Sequence, residues 1–218
     1  MNSESLECTA PELARFLWET NSVTLARDKP FTFVSGLLSP IYTDCRRLIS
    51  FPIVREKIVD AAVRALRQLT LIDGIASIAG GETAGIPYAA FLATRLGKPM
   101  VYVRKAPKDH GRKSLVEGVI TQGTNVLLFE DLITDGGSKM TFINGLRAEG
   151  AQVTHCMVVF EYGLKYARAA LKREKVELIS LLDSLHLMEY GVEAGLATAS
   201  DVDSVRAFVN QSDDSRFG

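Results

Sequence analysis

Only three cysteines occur in 218 residues, Cys8, Cys45 and Cys156. Odd in number and widely scattered, they give neither a disulfide framework nor zinc-ligand spacing. A reducing cytoplasm is therefore the expected setting. No apolar run reaches the roughly 18 residues a membrane span needs. Met1–Ala10 carries two glutamates and lacks the basic cluster of a signal peptide. Net charge is also missing: 25 Lys and Arg against 26 Asp and Glu leave -1. No overall field argues for nucleic acid or a membrane surface as partner, so any anion recognition must be local. There is no internal repeat and no low-complexity tract. What is present is ordinary for a globular chain, with 47% hydrophobic and 23% charged residues. That is enough for one large α/β domain spanning 1–218, or at most two small ones.

Periodicity places the elements. Pro11–Glu19 is expected to be a helix, with Thr9 as a candidate cap. Phe31–Val34 and Pro40–Thr43 read as short strands around the turn Ser35–Ser39. Ile53–Leu69 has helical spacing, with Val54, Ile58, Ala61, Ala62, Ala65 and Leu69 as its inner stripe. Gly74–Ala79 is a buried strand running into the small-residue turn Gly80–Gly85. Pro87–Leu96 is a helix closed by Gly97. Met100–Val103 is a strand, and Ala106–Glu117 an exposed loop. Val126–Phe129 and Val153–Phe160 are strands flanking a helix over Lys139–Glu149. Val176–Leu182 is a further strand, with helices after it. This alternation predicts a mostly parallel twisted sheet covered on both faces. Its ligand would sit beyond the carboxyl ends of the strands, where the small-residue turns gather.

Val126–Ser138 carries the chemistry. It reads Val-Leu-Leu-Phe-Glu-Asp-Leu-Ile-Thr-Asp-Gly-Gly-Ser. Backbone N–H groups of a Gly-Gly turn can point inward together, and the following helix adds its N-terminal dipole. Thr134 and Ser138 offer hydroxyls, and Ser138 is also a candidate helix cap. Glu130 and Asp131 repel phosphate, but they can accept from vicinal ribose hydroxyls or face a cationic sugar centre. Asp135 is expected to serve the turn through its backbone, with its carboxylate pointing away from phosphate. The plain alternative is a strand, an acidic turn and an ordinary cap. All these residue types in one run favour a sugar-phosphate cradle.

The segment resembles the phosphoribosyl pyrophosphate (PRPP) motif of the type I phosphoribosyltransferases. The resemblance implies that fold, with a small N-terminal hood over about residues 1–50. It assigns PRPP to Glu130, Asp131, Leu132, Ile133, Thr134, Asp135, Gly136, Gly137 and Ser138, with Asp131 catalytic.

Arg104–Gly118 is the second signal. Five Lys or Arg and one Asp between Arg104 and Lys113 give a local charge of +4. Pro107 and Gly111 oppose a helix there. A solvated charged loop would look the same, but the wording decides: Arg104-Lys105, Lys108-Asp109-His110-Gly111 and Glu117-Gly118 resemble the catalytic loop of the orotate phosphoribosyltransferases. Phe31–Asp44 resembles their hood segment, and Gly80–Pro87 their pyrophosphate-facing loop. Together the matches run from Phe31 to about Phe160, about 60% of the chain. The resemblance implies transfer of the phosphoribosyl group from PRPP to orotate, giving orotidine 5′-monophosphate in pyrimidine biosynthesis. It adds Arg104, Lys105, Lys108 and His110 as PRPP contacts, with Lys108 and His110 catalytic. Orotate falls to Thr134, Tyr42, Ser35 and Gly36. Mg²⁺ would be carried on PRPP rather than in a protein cage, and a homodimer would share loop 104–118 across its interface.

Three family side chains are replaced. Val34 and Ala84 stand where lysines are common. The strand that commonly ends Asp-Arg ends here Phe160-Glu161-Tyr162-Gly163. Orotate then needs another donor, and the candidates are Arg46, Arg47 and the backbone amides near Ser35-Gly36. The lost arginine keeps open transfer to a purine or another base. A PRPP-sensing regulator is the third reading, against which the well-populated basic loop argues. His155 and Cys156 read as core or sheet-edge residues, His186 as packing, and Trp18 as the anchor of the first helix.

Overall fold

The computed structural model describes residues 9–106 and 114–210. Helix α1 (Ala10–Glu19) starts as expected: Thr9 Oγ1 accepts the Glu12 amide at 3.4 Å and Pro11 sits in the first turn. Trp18 packs against Gly191, and its Nε1 donates to the Leu187 carbonyl at 3.2 Å. It does anchor the helix.

The hood strands pair differently from expectation. Strands β1 (Val23–Leu25), β2 (Phe31–Thr32), β3 (Leu38–Ser39) and β4 (Ile41–Thr43) form two separate antiparallel pairs, β2 with β3 and β1 with β4. The Phe31 hairpin turns tightly at Gly36, whose φ of 82° suits glycine. Ile41–Thr43 then leaves the hairpin for Val23–Leu25, a three-residue partner too short to show a period. A 3₁₀ turn, Cys45–Ser50, leads into α2 (Pro52–Gln68). Val54, Ile58, Ala61 and Ala62 face the core as expected, but Leu69 is 51% exposed and Ala65 only half-buried. The helix ends at Gln68, and its second buried row runs through Val59, Val63 and Leu66 instead.

Strand β5 (Ser77–Gly81) lies later than expected because Gly80 and Gly81 belong to it, paired with β6 (Met100–Val103). Between them α3 (Gly85–Leu96) ends at Gly97 with φ 62°. Val116–Glu117, expected in the exposed loop, forms β7 antiparallel to β6. Strand β8 (Asn125–Ile133) continues four residues past Phe129, so the paired acids and Leu132-Ile133 are sheet residues. Next come α4 (Gly137–Ala148), β9 (Gln152–Glu161), an unexpected α5 (Lys165–Arg173), β10 (Glu177–Asp183), α6 (Ser184–Glu193) and α7 (Ala199–Val209). Cys156 is fully buried and His155 half-buried on β9. His186 does not pack: it is exposed on α6, where Asp183 Oδ2 contacts its Nδ1 at 2.6 Å.

The sheet order is β10-β9-β8-β5-β6-β7, parallel except for β7. The chain steps from β5 outward to β6, then returns to the other side of β5 as β8. Right-handed crossovers therefore send α3 and α4 to opposite faces, opening a crevice between the carboxyl ends of β5 and β8. Among the described residues no helix is long and apolar enough to cross a membrane.

Candidate active site

The crevice holds a cavity of about 370 Å³. Five segments line it: the hood (Phe33, Val34, Tyr42, Thr43, Asp44, Arg46), the turn after β5 (Glu82, Thr83, Ala84), Lys105 beyond β6, Tyr162 just past β9, and, named last, the end of β8 with its turn and α4 as far as Phe142. From that last segment Glu130, Asp131, Leu132, Ile133, Thr134, Asp135, Gly136, Ser138 and Lys139 reach the lining, but Gly137 does not.

The two adjacent acids have different surroundings. Alternation on a strand sends neighbouring side chains to opposite faces. Glu130 is 3% exposed, and both its oxygens are occupied: Oε1 accepts the Gly81 amide at 2.5 Å and Oε2 accepts Lys139 Nζ at 2.7 Å. Burial raises the Glu130 carboxyl above its usual range, against the pull of Lys139 and of the Gly81 amide. Burial lowers Lys139, but Glu130 and then Asp131 outweigh it and hold the ammonium above the usual lysine range. Asp131 is half-buried at the cavity wall, and among the described residues nothing hydrogen-bonds its carboxylate.

The phosphate-type turn is built as its glycines require. Gly136 takes φ 87° and caps α4, which has no side-chain cap, so Ser138 does not serve in that way. Asp135 serves the turn through its carboxylate, not its backbone: Oδ1 accepts the Gly137 amide at 3.0 Å.

On the hood side Tyr162 is the organiser. Its hydroxyl accepts the Thr43 amide at 2.9 Å, and its ring meets Phe33 edge-on at 5.1 Å. Burial raises its phenol well above the usual range. Arg46 lies beside this aromatic wall, its Nε and Nη2 donating to Asp44 at 2.6 and 3.0 Å and its Nη2 also to Tyr42 Oη at 3.2 Å. Hydrogen bonding to Asp44 keeps the guanidinium charged. Arg47 instead donates to the Thr20 carbonyl and is not part of the lining. Ser35 and Gly36 stand at the hairpin tip, outside the lining, while Tyr42 is in it. Val34 is fully exposed at the rim. Glu161 is buried and taken by Arg168 of α5, with Nε to Oε2 at 2.9 Å, so that arginine does not line the cavity.

Lys105 joins the site through its amide, which donates to Glu82 Oε2 at 2.9 Å. Arg104 points to β7, pairing with Glu117 at 3.9 Å. Lys108 and His110 lie outside the described residues. Sequence reasoning reached Phe33, Asp44 and Glu82 only as parts of the hood and pyrophosphate-loop segments, and gave no site role to Lys139, Phe142 and Tyr162. Lys139 carried a signal: a cation in the first turn of a helix opposes the helix dipole and so needs a nearby acid.

No family model matches the chain. It is 44% identical over 199 residues to the orotate phosphoribosyltransferase of Rhizobium rhizogenes, covering 91% of this chain and 86% of that protein. Among solved structures, the orotate phosphoribosyltransferase of Aeropyrum pernix superposes with a TM-score of 0.73 at 32% identity, over 85% of this chain and 99% of that one. The Leishmania donovani UMP synthase superposes at 0.79 with 27% identity, over 93% of this chain but only 42% of that one.

Proposed function

The chain belongs to the orotate phosphoribosyltransferases, and from that premise we propose how its residues divide the reaction. The phosphoribosyl group passes from PRPP to orotate: the bond from ribose C1 to N1 of orotate forms as the bond from C1 to pyrophosphate breaks. Orotate is already an anionic nucleophile, so little general-base help is needed. The demands are a cationic ribosyl centre, a departing pyrophosphate and a bound anionic base.

Asp131 faces the ribose, where a carboxylate without a hydrogen-bonding neighbour can accept hydroxyls and stabilise developing positive charge. Thr134–Ser138 hold the 5-phosphate against the start of α4. The turn Glu82–Ala84 and Lys105 address the pyrophosphate from the opposite wall. Arg104, Lys108 and His110 close over it, and Lys108 or His110 protonates it as it leaves. Arg46, beside Tyr42, Phe33 and Tyr162, supplies the cation for orotate in place of a strand-end arginine, with Thr134 beneath the ring. Among the described residues no cluster of three or more His, Cys, Asp or Glu is arranged to hold a metal. Mg²⁺ would be carried on PRPP oxygens and waters, where it would offset the pyrophosphate charge. The full reading is a cytoplasmic homodimer of one domain per chain, with loop 104–118 reaching the neighbour's site.

One observation carries this division: the hood, the turn after β5 and the Asp131 turn line a single cavity. The test is turnover of PRPP and Mg²⁺ with orotate against adenine and hypoxanthine as acceptors. Orotate should be consumed and the purines left; no turnover of orotate would sink the reading.

A further inference from the structure

We propose that Lys139 is a positioning residue for the transfer reaction: it pins Glu130 to the Gly81 amide, fixing the carboxyl ends of β5 and β8 from which the two site turns start. The inference rests on the cavity being the PRPP site.

Three elements converge on the Glu130 carboxylate. Strand β8 delivers it, β5 gives it an amide and α4 gives it an ammonium. The neighbouring glycines keep this region closely packed, and Gly85 leaves the room the carboxylate occupies. A Cβ on Gly85 would overlap the carboxylate, one on Gly81 would overlap the Phe142 ring, and one on Gly80 would lie 2.6 Å from the Gly85 carbonyl oxygen. The strands that carry the pyrophosphate and sugar-phosphate walls, already paired lower in the sheet, are thus tied again at their carboxyl ends through one side chain. Their separation sets where the breaking bond lies relative to Asp131.

Stability alone does not account for the pair. Lys139 is 5% exposed and sits in the first turn of a helix, so it is opposed by both desolvation and the dipole. A well-packed apolar pair of the same volume is commonly as stable as a buried ion pair. What the ion pair adds is direction, because an ammonium and an amide fix both oxygens where van der Waals contact would leave the side chain free to turn. The charged and titratable groups around it are Asp131 on β8, Cys156 on β9 and Cys45 in the hood turn, with the two cysteines fully buried.

The experiment is a cycle of Lys139→Met, Glu130→Gln and the double variant, assayed with PRPP and orotate from pH 5.5 to 9 beside thermal unfolding. Lys139→Met should lower kcat by about 10²-fold, the effect of an ångström-scale misplacement, with little change in KM for orotate. Its kcat should acquire a new dependence on pH above the usual carboxylate range, as burial leads the deserted Glu130 to take up a proton. In the double variant the side-chain amide introduced by Glu130→Gln keeps an acceptor for the Gly81 N–H and carries no charge. It should lose that pH dependence and recover roughly tenfold, staying below the parent. A Lys139→Met enzyme with parental kcat and pH profile would overturn the proposal, even with a lowered Tm. If that variant does not fold, the double variant decides: parental kcat overturns the proposal, while a tenfold deficit with unchanged orotate KM supports it. A parent that fails to turn over orotate sinks the functional reading and this inference together; an active parent with an inert Lys139 sinks this inference alone.

Discussion

Glu130 and Asp131 are adjacent in the chain and opposite in circumstance. Both line the cavity, but one is buried and bonded through both oxygens to Gly81 and Lys139, and the other is half-buried. Asp131→Asn is therefore expected to lower kcat by about 10²-fold, the loss typical of one group aimed at developing charge. Because among the described residues Asp131 has no hydrogen-bonding neighbour to orphan, Tm should move little; steady-state kinetics and a melting curve check both. Arg46 makes a second prediction. A hydrogen bond to a charged group contributes about 1.5–3 kcal/mol, so Arg46→Ala should raise the orotate KM roughly 10- to 100-fold while the PRPP KM stays within about twofold. Arg46→Lys should not rescue it, since lysine cannot replace a planar fork already held by Asp44. An unchanged orotate KM would remove Arg46 from the base site. At this scale the motif Val126–Ser138 was legible, because residue types announce what they can bind. The difference between its two acids was not, because it depends on a lysine nine residues on and an amide 49 residues back.

Among the elements, the helices were the most legible and the hood strands the least. Helix α1 shows why, with its cap at Thr9 and Pro11 read from the chain; α7, foreseen only as one of the helices after Val176–Leu182, also carries a local capping box. Thr198 Oγ1 accepts the Asp201 amide at 3.2 Å, and Asp201 Oδ2 accepts the Thr198 amide at 2.8 Å. Partial burial pushes the Asp201 carboxyl up, but Thr198 and Arg27 outweigh it and hold it below its ordinary 3.8. A carboxylate depressed on folding stabilises the folded state fully above its unfolded pKa, and the contribution is lost as pH falls below that value through the folded one. Thr198→Ala should thus lower stability by about 1 kcal/mol at pH 7. The gap from the parent should narrow as pH falls below 3.8, read from urea midpoints at neutral pH and on either side of that value. A gap that widened in acid would contradict this. The pairing of β1 with β4 had no such local code. Three-residue strands carry too little period to announce a partner, and here the hydroxyl of Tyr162, just past β9, holds Thr43 in place. Helix α5 went unseen for a related reason, since its nine residues bury only Ala167 and Leu171.

For the whole molecule, the proposed sharing of loop 104–118 between protomers has a direct consequence. Lys108→Ala and Asp131→Asn would disable opposite halves of a composite site. After mixing and re-equilibration about half the dimers are mixed, each with one intact site, so activity should return to about a quarter of the parent. No recovery on mixing would mean that each chain completes its own site. What the sequence determined alone was the alternation of strands and helices, the phosphate-type turn and the basic loop. Each is specified by residues within about a dozen positions, where periodicity and side-chain chemistry act directly. The tertiary structure decided which turns meet. The β5–β8 switch point brings Gly81 and Glu130 into hydrogen-bonding contact, turns Arg46 rather than Arg47 toward the cavity, and buries Lys139 beneath it. Those placements depend on strand order and packing across the sheet, and no short stretch of chain encodes them.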